Sequence, residues 1–151
     1  MVHKYMKKVN ALIIFSLFLV LLVLFSFSKN KNSLSQISAD VPCLLPNLPL
    51  VMHLHSELSI EIDGKIQNIP NTIGIEKSCE RAIHMHNDTM GKIHVESQTV
   101  RDYTLGDFFS VWGEKIEKEN YDLIMTVNNQ PSKESSSVIL KNDQKIKLVY
   151  T

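Results

Sequence analysis

The sequence predicts an α+β domain, mainly β, carried behind an N-terminal membrane helix, and three observations lead there. Residues 51–62 alternate apolar and polar side chains, Asp63-Gly64 offers a two-residue hairpin turn, and only Leu105, Phe108, Phe109 and Trp112 recur at helical spacing. A small β-rich domain with one short helix at about 104–112 follows, with the β-grasp arrangement as one candidate for its topology.

The elements follow in chain order. Val9 to Phe27 is apolar except for Asn10, Ser16 and Ser26, and it is preceded by Lys4, Lys7 and Lys8. Ala11 to Phe27 would make a helix roughly 25 Å long, the short limit for a bilayer core of about 30 Å. Ser26-Phe27-Ser28 is compatible with cleavage after Ser28, whereas the apolar run exceeds the usual signal-peptide core of about 7–15 residues. Residues 1–28 are therefore a signal anchor or a cleaved signal peptide. The N-terminal lysines stay cytoplasmic by the positive-inside rule, a bias that Lys29 and Lys31 on the far side weaken, and the rest of the chain is then expected outside the cytoplasm. The expected location is the cell membrane, single-pass with contact through residues 9–27, or secretion if the chain is cut near Ser28.

Lys29 to Ala39, rich in Ser, Asn and Lys, reads as a tether, and Pro42, Pro46 and Pro49 stiffen the start of a domain over residues 40–151. The formal charge of zero conceals an asymmetry. Residues 1–39 hold five lysines and no acid, which leaves 11 basic against 16 acidic residues beyond them, a net of −5. A mildly acidic domain lacks the basic face that neutralises phosphates, so nucleic acid is excluded as a partner class. The sequence names no protein partner.

Within the domain, Val51 to Ile62 is a half-buried strand with Leu54, Leu58, Ile60 and Ile62 on one face and His53, His55, Glu57, Ser59 and Glu61 on the other. Lys65 to Ile69 is expected to return as its partner. Thr104 and Asp107 form a capping box before the helix, and Gly113 ends it. Tyr121 to Val127 and Lys145 to Tyr150 alternate as closing strands, with Asn128 to Asn142 as a polar connection. Cys43 and Cys79 are the only cysteines. In an exported chain they are expected to pair; the alternative is Cys79 as a soft metal ligand.

Apart from His3, the histidines fall in three short pieces within residues 53–96: His53-Leu54-His55, His84-Met85-His86 and His94-Val95-Glu96. In an extended strand residues i and i+2 face alike, so each piece aims two imidazoles, or an imidazole and a carboxylate, at one point. Asn87 to Gly91 supplies turn chemistry that folds His86 back beside His94, and Asn87-Asp88-Thr89 is also a glycosylation sequon. Five imidazoles and Glu96 are the candidate metal ligands, and imidazole suits zinc or copper. Met52, Met85 and Met90 flank them and would offer thioethers to Cu(I). Glu57 and Glu96 are the candidate catalytic carboxylates. For the histidines and carboxylates the competing reading is a solvated strand face or a hydrogen-bond network, and for the methionines it is core filling.

The run His84 to Ser97, followed by Tyr103-Thr104-Leu105-Gly106-Asp107-Phe108-Phe109 and Val111-Trp112-Gly113, resembles a family of uncharacterised exported bacterial and archaeal domains. Its pattern is a His-x-His strand, a cysteine, a His-Thr-His-Asp piece, Thr-Gly-x-Ile-His-x-Glu and Thr-Leu-Gly-x-Phe-Phe-x-x-Trp-Gly. The likeness covers residues 53–113 and the closing strands. Here Met85 and Asn87 replace the Thr and Asp of the pattern, and the loop to His94 is one residue longer. The resemblance implies that the histidines belong to one shared site and implies no activity.

The leading expectation is thus a membrane-tethered extracytoplasmic domain that binds zinc or copper through His53, His55, His84, His86 and His94, with Glu96 as ligand or support. The alternatives are a zinc-dependent hydrolytic or hydration enzyme and a non-catalytic interaction module.

Overall fold

A computed structural model of the chain describes residues 41–87 and 90–151. The expected membrane segment (1–28) and tether (29–39) lie outside the described residues, as do Asp88 and Thr89 of the sequon. Among the described residues no helix is long and apolar enough to cross a membrane.

The domain is mainly β. Among the described residues its strands are β1 (Met52–Ile62), β2 (Lys65–Ile66), β3 (Ile75–Glu76), β4 (Cys79–Glu80), β5 (Ile83–His84), β6 (Lys92–Ser97), β7 (Leu123–Val127), β8 (Gln130–Ser132) and β9 (Gln144–Tyr150), with one α-helix, α1 (Leu105–Trp112). Seven strands form a mixed sheet in the order β5-β6-β1-β9-β7-β8, with β2 paired to the end of β1; β3 and β4 form a separate hairpin. β1 is the organising strand. Its first half pairs antiparallel with β6, from Met52 opposite Ser97 to Glu57 opposite Lys92. Its second half pairs parallel with β9, from Ser56 opposite Gln144 to Ile62 opposite Tyr150.

The alternation read in the sequence becomes two faces of this sheet. Leu58, Ile60, Ile93, Val95, Ile146 and Leu148 are buried on one face, and Leu105, Phe108 and Phe109 of α1 contribute to the same core. The helix begins as expected: Asp107 N–H donates to the Thr104 hydroxyl at 3.1 Å, Thr104 N–H donates to the Asp107 carboxylate at 2.9 Å, and Gly113 closes the helix in the left-handed conformation. Over β1 and β9 the opposite face is ionic, with Lys145 3.8 Å from Glu57 and Lys147 2.8 Å from Glu61. Over β1, β6 and β5 it carries the histidines.

Asp63 and Gly64 both take positive φ, so the hairpin turn is formed, but the returning strand stops at Ile66 instead of Ile69. Gln67 N–H still donates to Ile60 O at 2.8 Å, but beyond it the chain leaves the β1 edge, and β6 occupies that edge along residues 52–57. The stretch 128–142 is more than a polar connection. Asn128 and Asn129 both have positive φ and turn the chain into β8, while Val138 and Leu140 are buried in the core. Asn-Asn tolerates the left-handed region much as Asn-Gly does, which makes it a tight hairpin turn.

Cys43 and Cys79 form a disulfide with Cα atoms 5.2 Å apart, so Cys79 is not a thiolate ligand. The segment around Cys43 runs against residues 80–82: Leu44 N–H donates to Glu80 O at 2.7 Å, and Ala82 N–H to Pro42 O at 2.9 Å. A disulfide of this kind belongs to an oxidising compartment.

Candidate metal centre

Strand register assembles the site. His55 on β1 lies opposite His94 on β6, and His94 lies opposite His84 on β5, so three imidazoles form a row across three neighbouring strands. One step along, His53 faces Glu96. His86 follows His84 by two residues beyond the end of β5, and its ring centroid is 4.7 Å from that of His94. Gly91 has φ +79°, and a Cβ there would come 2.3 Å from the Leu58 carbonyl oxygen. Only glycine lets the turn pass this close under β1.

Two ligand groups result. The side-chain donors of His84, His86, His94 and Glu96 all lie within 4.8 Å of one another, and so do those of His53, His55 and His94. Nε2 of His84 is 2.9 Å from Nε2 of His86, and Nε2 of His53 is 3.0 Å from Nε2 of His55. Two nitrogens bound at 2.0–2.1 Å to a tetrahedral ion sit about 3.3 Å apart, and two ligands on opposite sides of an ion at most about 4.2 Å. The two Nε2 pairs lie within about 0.4 Å of the tetrahedral spacing, and a pair of donors at the 4.8 Å limit closes by about 1.5 Å to reach it.

His84 is the most constrained of the five. It is wholly buried, and its Nδ1–H donates to the Arg81 carbonyl at 2.7 Å. That bond leaves the lone pair on Nε2, the nitrogen turned toward His86. Metal-binding histidines are commonly oriented in this way by a backbone carbonyl. Burial holds the pKa of His84 below its ordinary value, and the neighbouring His86 pushes the same way; the Arg81 carbonyl, Glu80 and Glu96 oppose them. The ring is thus kept in the neutral form that coordinates a metal.

Glu80 is a residue that sequence reasoning missed. Its carboxylate oxygen lies 3.4 Å from Nε2 of His84 and 3.7 Å from Nε2 of His86. The disulfide at Cys79 and the backbone pairing of Leu44 with Glu80 hold it there. The one signal in the sequence was its position next to a cysteine and four residues before His84. Glu96 lies 3.3 Å from Nε2 of His53 and 4.0 Å from Nδ1 of His94. Glu57 belongs to neither ligand group; it is on the same face, exposed and turned toward Lys145. Met85 is buried in the core and does not join the histidines.

Two openings flank the first group. One, about 380 Å³, is walled by Leu44, Leu45, Pro46, Leu48 and Leu50 and bordered by Glu80 and Glu96. The other, about 290 Å³, is bordered by His86, Asn87 and Met90.

No family model, curated protein or solved structure matches the chain.

Proposed function

We propose that this chain is a membrane-tethered extracytoplasmic domain that binds a divalent transition metal through His84, His86, His94 and Glu96. The observation that carries the reading is the convergence of these four donors within 4.8 Å, with the proton of His84 held on the opposite side of its ring by Arg81. The four donors are nitrogen and oxygen; both cysteine sulfurs are in the disulfide and Met85 is in the core, while Met90 lies at the opening beside His86. Such a set suits Zn(II) or Cu(II). The disulfide favours the exported location, and the apolar run at residues 9–27 supplies the anchor. The motif likeness to exported bacterial and archaeal domains supports membership of that family. The strand order β6-β1-β9-β7-β8, with β1 and β9 parallel at its centre and the helix between β6 and β7, supports a β-grasp relationship in which residues 63–91 are an insertion.

The test is metal analysis of the full 151-residue chain purified without a histidine tag, followed by titration with zinc and copper. Bound zinc or copper whose amount per chain falls in His84→Ala with His86→Ala supports the reading. A chain that takes up neither metal overturns it.

A second reading, a zinc-dependent hydrolytic or hydration enzyme, is favoured by the opening beside Glu80 and Glu96. A metal held by three histidines would lower the pKa of a bound water, and a carboxylate at the mouth of an apolar pocket would take its proton. Hydrolysis of an ester substrate with zinc bound, abolished by Glu80→Gln or Glu96→Gln at unchanged zinc content, would establish it.

A further inference from the structure

The second ligand group raises a question that a single-ion reading does not answer. His53 and His55 bring their Nε2 atoms to 3.0 Å, and they belong to a group with His94 that excludes His84 and His86. His94 belongs to both groups. Its strand lies between the other two, and its ring centroid is 4.6 Å from that of His55 and 4.7 Å from that of His86. Glu96 joins the first group and also lies 3.3 Å from Nε2 of His53, the outermost donor of the second. The donors therefore sit on both flanks of His94, two imidazoles to each side, with one carboxylate in reach of both.

We propose that the centre is binuclear: a second divalent ion binds His53 and His55, and it shares Glu96 with the ion held by His84, His86 and His94. This rests on the metal-binding reading above. A carboxylate has two oxygens and can give one to each ion, the arrangement that holds ions about 3.5–4 Å apart in two-metal centres. A neutral imidazole has one lone pair, so His94 serves one ion, and it could serve both only by releasing its remaining proton. Two adjacent dications repel, and the carboxylates of Glu96 and Glu80 offset that charge. A shared pair of ions would suit the binding of a phosphate or carboxylate group across both metals more than simple carriage of one ion.

The experiment counts zinc in the full chain and then uses Cu(II) as a paramagnetic probe. The wild type is expected to bind two zinc ions per chain, and His53→Ala with His55→Ala one. Those two side chains are exposed or half-buried, so their removal leaves the core intact. In the wild type loaded with two Cu(II), the integrated electron-spin signal should fall well below two spins per chain because the ions couple. The double variant loaded with one Cu(II) should return one full spin. One zinc in both proteins means that the chain holds a single ion, which overturns the binuclear centre and leaves the metal-binding reading standing. Two Cu(II) with two uncoupled spins overturns the shared carboxylate. No bound metal in either protein removes both readings together.

Discussion

His94→Ala is the perturbation that tests the site as a whole, because this residue belongs to both ligand groups. A metal that binds only the folded chain stabilises it by RT ln(1 + [L]/Kd), about 2.7 kcal/mol when free zinc is 100 times Kd. The structure describes 109 residues, and at about 2.1 cal/mol/K of unfolding entropy per residue each kcal/mol moves the midpoint by about 4 °C. Wild-type chain should therefore melt about 10 °C higher in zinc than in chelator. Altering a residue that merely orients a ligand costs 10–100-fold in affinity, and losing a ligand costs more. At the same free zinc the variant's site is then less than half filled, its linkage falls below about 0.4 kcal/mol, and the zinc-chelator difference shrinks below about 2 °C. The cavity left by a buried imidazole lowers the baseline of the variant, so the quantity read by differential scanning calorimetry is the difference between zinc and chelator within each protein. Glu57→Gln, whose carboxylate faces Lys145, should keep the full difference. A wild type that melts alike in zinc and chelator, or a His94→Ala variant that keeps the whole difference, refutes the reasoning.

In the metal-free chain, stability should fall as the pH drops below about 6.5. The folded pKa of His84 is depressed, so the unfolded chain takes up its proton first; the contribution is complete above the unfolded pKa and is lost as the pH falls toward the folded one. Calorimetry in chelator from about pH 7.5 to about pH 5 checks this, and zinc affinity should weaken in the same direction. Reduction of the Cys43–Cys79 disulfide releases a loop with a sequence separation of 36, which on chain entropy costs about 4 kcal/mol; denaturant melts with and without reductant measure it. Gly74→Ala should destabilise the domain and weaken zinc binding together, because φ is +75° and the new Cβ would lie 2.4 Å from the Ile83 carbonyl oxygen and 3.0 Å from Cα of His84. Zinc titration of a soluble Gly74→Ala chain with wild-type affinity would contradict that coupling.

The parts of the site visible in the sequence were those set by local periodicity. His53 and His55 share a face because they are two residues apart in a strand, and the same rule places His94 with Glu96. The capping box at Thr104 and the turn at Asp63-Gly64 are equally local. The turn chemistry at Asn87 to Gly91 pointed to His86 beside His94; what could not be read was the register and that β1 lies on the other side of β6. That His55, His94 and His84 stand in one row depends on the register of β1 on β6 and of β6 on β5. The placement of Glu80 depends on a disulfide to a segment 36 residues away. Val138 and Leu140 were hidden for a related reason, since a short buried stretch inside a polar connection shows no period of its own.

The same register gives the centre its precision. On β6, Ile93 and Val95 are wholly buried and alternate with His94 and Glu96. A slip of one residue against β1 would exchange the two sets, moving an imidazole and a carboxylate into the apolar core and two aliphatic side chains out of it. The apolar core thus sets the geometry of the donor cluster indirectly. Burying Ile93 and Val95 is favourable by about 1.5–3 kcal/mol for each side chain, and that difference, with the cost of burying Glu96 unpaired, holds the donor row in place before any metal arrives. A site held in this way is organised without its ion. Metal binding here should add stability to a fold already formed instead of creating one, which sets this domain apart from small metal-dependent domains that unfold when the ion is removed.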